Sequence, residues 1–441
     1  MALLLLLALA GFDGHWLGTL DLGAAKLRIA LHIANGKGTL DSLDQGATGI
    51  PLSTLTTDAG KINFEIAALG AQYEGALSAD GKQITGTFHQ RGLTLPLLFT
   101  RTESPVELAR PQEPRKPYPY EEAEVTYENK GIRLAGALTL PRAAGPHPAV
   151  LLITGSGPQD RNETVAGHRP FLVLADYLTR RGCAVLRVDD RGVGGSTGSV
   201  MASTSEDFAA DTLAGVAYLK ARKDIDARRI GLLGHSEGGL VGAMAAARSP
   251  DVAFLVMMAG PGVRGDRILL SQIEQLNRIG GVSKDVTAKS LETEQRLFDI
   301  LRAEKDNAAA VKKMEAALPP NLPAAELGRI RAGLKSMTTA WYRAFLEYDP
   351  AVYLSKVKIP VLALNGELDV QVAADLNLPA VEAALKQAGN RRYSVLKMAR
   401  LNHLFQHSKD GSPAEYSRIE ETIAPEALKA VGDWIATNTS R

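Results

Sequence analysis

Ile230-Gly231-Leu232-Leu233-Gly234-His235-Ser236-Glu237-Gly238-Gly239-Leu240-Val241 is the stretch whose reading decides the fold. Its first four residues form a short apolar run suited to a buried strand, and from Gly238 an alanine-rich segment through Ala243 to Ala247 predicts a helix. Between them stands Gly-x-Ser-x-Gly, at residues 234–238. A tight turn from strand to helix lifts a serine hydroxyl clear of the sheet, and the flanking glycines leave room for the strained backbone. The pattern alone arises by chance in glycine-rich chains. Its placement between strand and helix makes Ser236 the candidate nucleophile.

A serine hydroxyl is a weak nucleophile at neutral pH and needs a base. In chains with this motif an acid and then a histidine follow the serine. Of the eight histidines, His403 and His407 lie beyond the acid candidates. His403 is nearer the end of a predicted strand at Tyr393–Leu396 and is expected to be the base, with His407 a surface residue of the next turn. Asp369 lies just beyond a predicted strand at Val361–Leu364, so it is expected to orient the histidine and offset its charge. Glu367 and Asp349 compete for that role, but Asp369 stands further out on the loop, and Asp349 before Pro350 suits a turn or helix cap.

The backbone N–H of Glu237, following the nucleophile, is expected to serve the oxyanion hole with a second donor from the loop Thr154–Arg161. Ser156 is the preferred second donor and Gly157 the next. Asp189–Ser196 faintly resembles a dinucleotide loop, but the next helix begins only near Ser205, so a turn supporting the active-site rim is the better reading. No metal-ligand spacing and no cofactor motif is present.

Outward from the motif, predicted strands alternate with helices from Ala123 to the C-terminus, which argues for a parallel sheet covered on both faces. The alternation stops over residues 264–340, a charged, alanine-rich stretch read as an inserted helical cap. Residues 11–101 instead show period-two strands, such as Lys61-Ile62-Asn63-Phe64-Glu65-Ile66, punctuated by Asn35-Gly36 and Asp80-Gly81. They predict a small antiparallel barrel or sandwich. A proline-rich linker, 102–122, separates the two regions.

The balance of 50 basic against 49 acidic residues, with 45% hydrophobic residues in 441, gives no basic face for nucleic acid. A single cysteine, Cys183, excludes an intrachain disulfide. Residues 1–10, MALLLLLALA, have the form of an export-signal core ending in small residues, predicting a periplasmic or secreted protein, or otherwise a cytoplasmic one. They are too short to span a bilayer as a helix, and no other stretch is apolar enough to do so.

Gly-Ser-Gly-Pro-Gln-Asp-Arg at 155–161, Asp-Arg-Gly-Val-Gly-Gly-Ser at 190–196, Gly-His-Ser-Glu-Gly-Gly at 234–239, Gly-Glu-Leu-Asp at 366–369 and Asn-His-Leu-Phe at 402–405 together resemble bacterial serine carboxylesterases of the α/β-hydrolase superfamily, near its serine aminopeptidase-like branch. The resemblance covers residues 123–441. It implies an α/β-hydrolase fold with a helical cap, preceded by a small all-β domain, and cofactor-free hydrolysis of short to medium acyl esters. The expected partner is a small-molecule ester. A peptidase or amidase with the same triad and a non-enzymatic binding protein are the rival readings.

Overall fold

The computed structural model describes residues 11–22, 26–90, 92–106, 109–318 and 324–440. The export reading of residues 1–10 falls outside them. The chain divides into two compact units. The first is residues 1–111 with the short stretches 165–168 and 416–420, and the second is the remainder.

The first unit is one antiparallel sheet of nine strands: β1 (Gly14–Asp21), β2 (Lys26–Ala34), β3 (Lys37–Ser42), β4 (Ala47–Pro51), β5 (Thr54–Asp58), β6 (Lys61–Ile66), β7 (Ala71–Leu77), β8 (Gln83–Gln90) and β9 (Leu93–Thr102). Their order is β4-β3-β2-β1-β9-β8-β7-β6-β5. The two end strands, β4 and β5, are consecutive in the chain and separated only by Leu52 and Ser53, a reach of roughly 10 Å. The sheet must therefore curl until its ends nearly meet, a half-barrel rather than a sandwich. Leu52 and Ser53 donate backbone hydrogen bonds to Gly38 and Glu65, on opposite ends of the curl. Strict alternation turns Ile62, Phe64 and Ile66 inward onto Trp16, Leu31, Tyr73 and Phe99.

The second unit has eight strands, β10 (Glu121–Asn129), β11 (Ile132–Leu140), β12 (His147–Ile153), β13 (Ala184–Val188), β14 (Ile225–His235), β15 (Phe254–Met258), β16 (Val361–Gly366) and β17 (Tyr393–Met398). They lie in the order β10-β11-β13-β12-β14-β15-β16-β17. β11 runs antiparallel to both neighbours and every pair from β13 to β17 is parallel. This is the sheet of an α/β hydrolase. The helices are α1 (Pro170–Arg180), α2 (Ser205–Lys220), α3 (Glu237–Ala246), α4 (Gly265–Ile279), α5 (Lys284–Ala303), α6 (Asn307–Ala316), α7 (Ala324–Met337), α8 (Ala340–Glu347), α9 (Pro350–Leu354), α10 (Ala374–Gln387) and α11 (Pro425–Thr439).

The strands read as unbroken apolar runs because both faces are covered. Leu255 and Met257 of β15 join a core with α2, α3, α9 and α10, whereas Phe254, Val256 and Met258 join another with α1 and α11. Helices α4–α8 fill the interval between β15 and β16 and carry their own apolar cluster around Phe298, Leu301, Met314 and Leu346. This helical insertion continues to Glu347, past the residue 340 expected from sequence, because Trp341 to Leu346 keep a helical apolar face. Among the described residues no helix is long and apolar enough to cross a membrane.

Phe254 is wholly buried, its ring 6.0 Å from that of Trp434 and directly over Gly231. Phe254→Ala is expected to lower the unfolding free energy of the second unit by about 3–5 kcal/mol, read from urea denaturation followed by Trp434 fluorescence. A loss under about 1 kcal/mol would mean that this face is loosely packed.

Candidate active site

The parallel strands deliver the candidate residues to one edge of the sheet, the carboxyl edge where ligands bind in open α/β folds. Ser236 follows β14 and opens α3 with φ 54° and ψ −125°, a conformation unfavourable for a residue with a side chain. Such strain costs roughly 1–3 kcal/mol and persists only where the surroundings over-determine it. Here the Ser236 amide donates to Met258 O at 2.8 Å, and Ser236 O accepts from the Gly239 amide at 2.9 Å. The turn is so tight that a Cβ on Gly234 would lie 2.0 Å from Gly238 O, and one on Gly238 would lie 2.2 Å from Ile153 O. Both glycines of the motif are therefore required by close backbone approach.

Asp369 follows β16 and His403 follows β17. Their side chains meet in a buried pair, His403 Nδ1 to Asp369 Oδ2 at 2.8 Å. The other carboxylate oxygen accepts the amides of Gln371 and Val372, each at 2.8 Å, which fixes the aspartate as an acceptor. That assigns the proton to Nδ1 and leaves the Nε2 lone pair for base chemistry. The competing groups are engaged elsewhere. Glu367 accepts the Arg400 amide, Asp349 caps α9 through the Ala351 amide, and His407 pairs with Glu421 and Glu426.

The expected oxyanion loop begins at the end of β12. A Cβ on Gly155 would lie 3.2 Å from that of Ser236, so this loop borders Ser236. The Gly155 amide is taken by Glu163 at 2.8 Å, which leaves the amides of Ser156 and Gly157 as donors from this segment. The loop is strapped down by the stretch after β13. Asp190 accepts from Thr154 Oγ1 at 2.6 Å and the Gln159 amide at 2.9 Å, and Asp189 holds Arg161 through its amide and guanidinium. Burial pushes the Asp190 carboxyl up to about 7, against the hydrogen bonds it accepts and with Glu163 and Glu237 adding repulsion.

Two arrangements went unseen in the sequence. Glu237, singled out only for its amide, sends a buried carboxylate to Ser205 Oγ of α2 at 2.5 Å and to Trp341 Nε1 of α8 at 3.0 and 3.1 Å, and it also accepts from the Ser156 hydroxyl. Burial raises its pKa. It thereby ties the first residue of α3 to the loop after β12 and to the helical insertion. His235, placed only as the variable residue of the motif, bonds Glu163 and the carbonyl of His403. Since Trp341 lies 104 positions from Glu237 and His403 lies 168 from His235, no local pattern carries either contact. Among the described residues, no three His, Cys, Asp or Glu side chains are grouped to hold a metal ion.

Residues 130–403 match the X-Pro dipeptidyl-peptidase (S15 family). The chain belongs to this family. Over 351 residues it is 26% identical to the esterase EstD of Thermotoga maritima, covering 78% of this chain and 75% of that protein. Solved structures similar to it include the α/β hydrolase GrgF from Penicillium sp. sh18, at 18% identity and a TM-score of 0.47 over 73% of this chain and 99% of that one. An esterase of Pyrococcus furiosus is similar at 17% identity and a TM-score of 0.45, over 73% and 92%.

In this S15-family chain the carboxylate of Asp369 is buried with both oxygens engaged by donors, so replacing it by an amide inverts one partner. Asp369→Asn is expected to lower kcat by about 10³–10⁴ with KM changed only a few-fold, because the imidazole loses the tautomer that the carboxylate imposes. Steady-state kinetics check this, and a loss under tenfold would remove Asp369 from the role.

Proposed function

We propose that this S15-family chain is a serine carboxylesterase acting on short to medium acyl esters of small molecules through an acyl-enzyme, with Ser236, His403 and Asp369 as its triad. The observation that carries this reading is Ser236 in a strained strand-to-helix turn, with a buried His403–Asp369 pair delivered to the same sheet edge. The likeness to the esterase EstD supports an ester as substrate.

In the first half-reaction His403 Nε2 takes the hydroxyl proton as Ser236 Oγ attacks the ester carbonyl. The negative charge on the former carbonyl oxygen faces the first amide of α3, that of Glu237, and the amide of Ser156 or Gly157. The helix N-terminus adds its own positive field at that point. His403 then gives its proton to the departing alcohol, and a water activated by the same imidazole releases the acid. Asp369 keeps the imidazole oriented and offsets its transient charge. Helices α4–α8 act as a cap that limits substrate size.

A second reading is a peptidase, favoured by the dipeptidyl-peptidase description of the family. The two differ in leaving group. Hydrolysis of p-nitrophenyl esters of graded acyl length, beside the p-nitroanilide of the best acyl group, is expected to show fast ester cleavage and slow anilide cleavage. Ser236→Ala should lower kcat by at least about 10⁴-fold while leaving the protein folded. An anilide turned over faster than its ester would favour the peptidase, and a Ser236→Ala variant with more than a tenth of wild-type kcat would overturn the triad.

A further inference from the structure

His235 ends β14 immediately before Ser236, and its side chain has no part in the chemistry assigned above. Both ring nitrogens are engaged. Nδ1 lies 3.0 Å from Glu163 Oε1 and Nε2 lies 3.0 Å from the backbone carbonyl of His403. The same Glu163 oxygen accepts the Gly155 amide at 2.8 Å. The His235 and His403 rings sit 4.8 Å apart. Glu163 is 3% exposed, adopts φ 52°, and its Oε2 finds no partner among the described residues. A buried carboxylate with one idle oxygen on a strained backbone is costly, and nothing in the triad itself requires it.

We propose that His235 and Glu163 form a buried, charged positioning pair that holds the triad histidine and the oxyanion loop in register: Glu163 anchors the Gly155 amide, and the His235 imidazolium anchors the His403 carbonyl. The charge state follows from the partners. Carboxylate and carbonyl are both acceptors, so both ring nitrogens must donate, which only the doubly protonated ring can do. The pair also explains a histidine in the motif. Set between Gly234 and Ser236 at the start of the tight turn, its ring spans from the loop after β12 to the loop after β17.

Proton loss has a defined sign. Burial alone would depress the His235 pKa, but the charge and hydrogen bond of Glu163, the His403 carbonyl and the more distant charge of Asp369 outweigh it and hold the group up at about 8. The His403 ring and the aromatic edge of Phe405 lie beside it among the apolar side chains of Phe171, Leu174 and Met258, and Glu163 repels Asp190 across the loop. A raised value means that the anchoring is complete at neutral pH and is lost as the pH climbs through about 8, when the ring keeps one N–H for two acceptors.

The kinetic consequence rests on the triad reading above, whereas the titration does not, so two measurements separate them. In histidine-labelled full-length protein, NMR should show one imidazolium at pH 7 that keeps two slowly exchanging ring N–H protons and titrates near 8. His235→Gln should remove that signal, and Glu163→Gln should move its midpoint down by at least one pH unit. In ester hydrolysis, wild-type kcat/KM should fall above pH 8. That alkaline limb should shift to lower pH in Glu163→Gln and disappear in His235→Gln, whose amide can still donate to the His403 carbonyl but cannot titrate. A neutral His235 ring at pH 7 in the wild type overturns the proposal even if neither variant folds, and so does an alkaline limb that both variants leave in place. A protein that hydrolyses no ester would instead count against the triad, with the NMR titration still deciding the pair.

Discussion

The backbone of Ser236 is the constraint on which the rest of the second unit depends. A serine at φ 54° is stable only if the strand before it and the helix after it are fixed independently. The structure does so with a central parallel sheet whose strands are buried on both faces and with α3 buried along nearly its whole length. The turn then has one geometry available, since Gly238 meets the Ile153 carbonyl and Gly234 meets Gly238. The result is a hydroxyl at a helix N-terminus, next to amides that have no role in the helix ladder.

Around this turn the molecule gathers five buried ionisable groups, Asp369, His403, His235, Glu163 and Glu237, beside the half-buried Asp190. Burying charge is unfavourable unless each group finds donors or a counter-charge. Asp369 takes two amides and an imidazole, Glu237 takes two hydroxyls and an indole, and Asp190 takes a hydroxyl and an amide. These bonds run between separate loops, so the same interactions that stabilise the charges fix the loops relative to one another. That is preorganisation: the donors stand in place before charge develops on the substrate.

Much of this was legible in the sequence because it is written in local patterns. The strand, Gly-His-Ser-Glu-Gly and helix at 230–247 announce the turn, the positions of Asp369 and His403 follow from the strands they terminate, and alternation over Lys61–Ile66 announces the β-rich unit. What escaped is long-range. Nothing near Glu237 foretells Trp341, and nothing near His235 foretells Glu163, because each pairing is made by the fold. The curl of the nine-stranded sheet was open for the same reason: period two gives strands, while the curl follows from the two-residue link that joins β4 and β5. The insertion outran its expected end because sequence marks where an apolar strand resumes more clearly than where a helix stops.

The central claim is that Ser236 is the nucleophile, activated by His403. Its most direct test is to treat the folded protein with a fluorophosphonate and map the adduct by peptide mass spectrometry, in wild type and in His403→Ala. The account predicts one adduct, on the peptide carrying Ser236, formed at least about a hundredfold more slowly without the histidine base. An adduct on another serine, or equal rates in the two proteins, would contradict it.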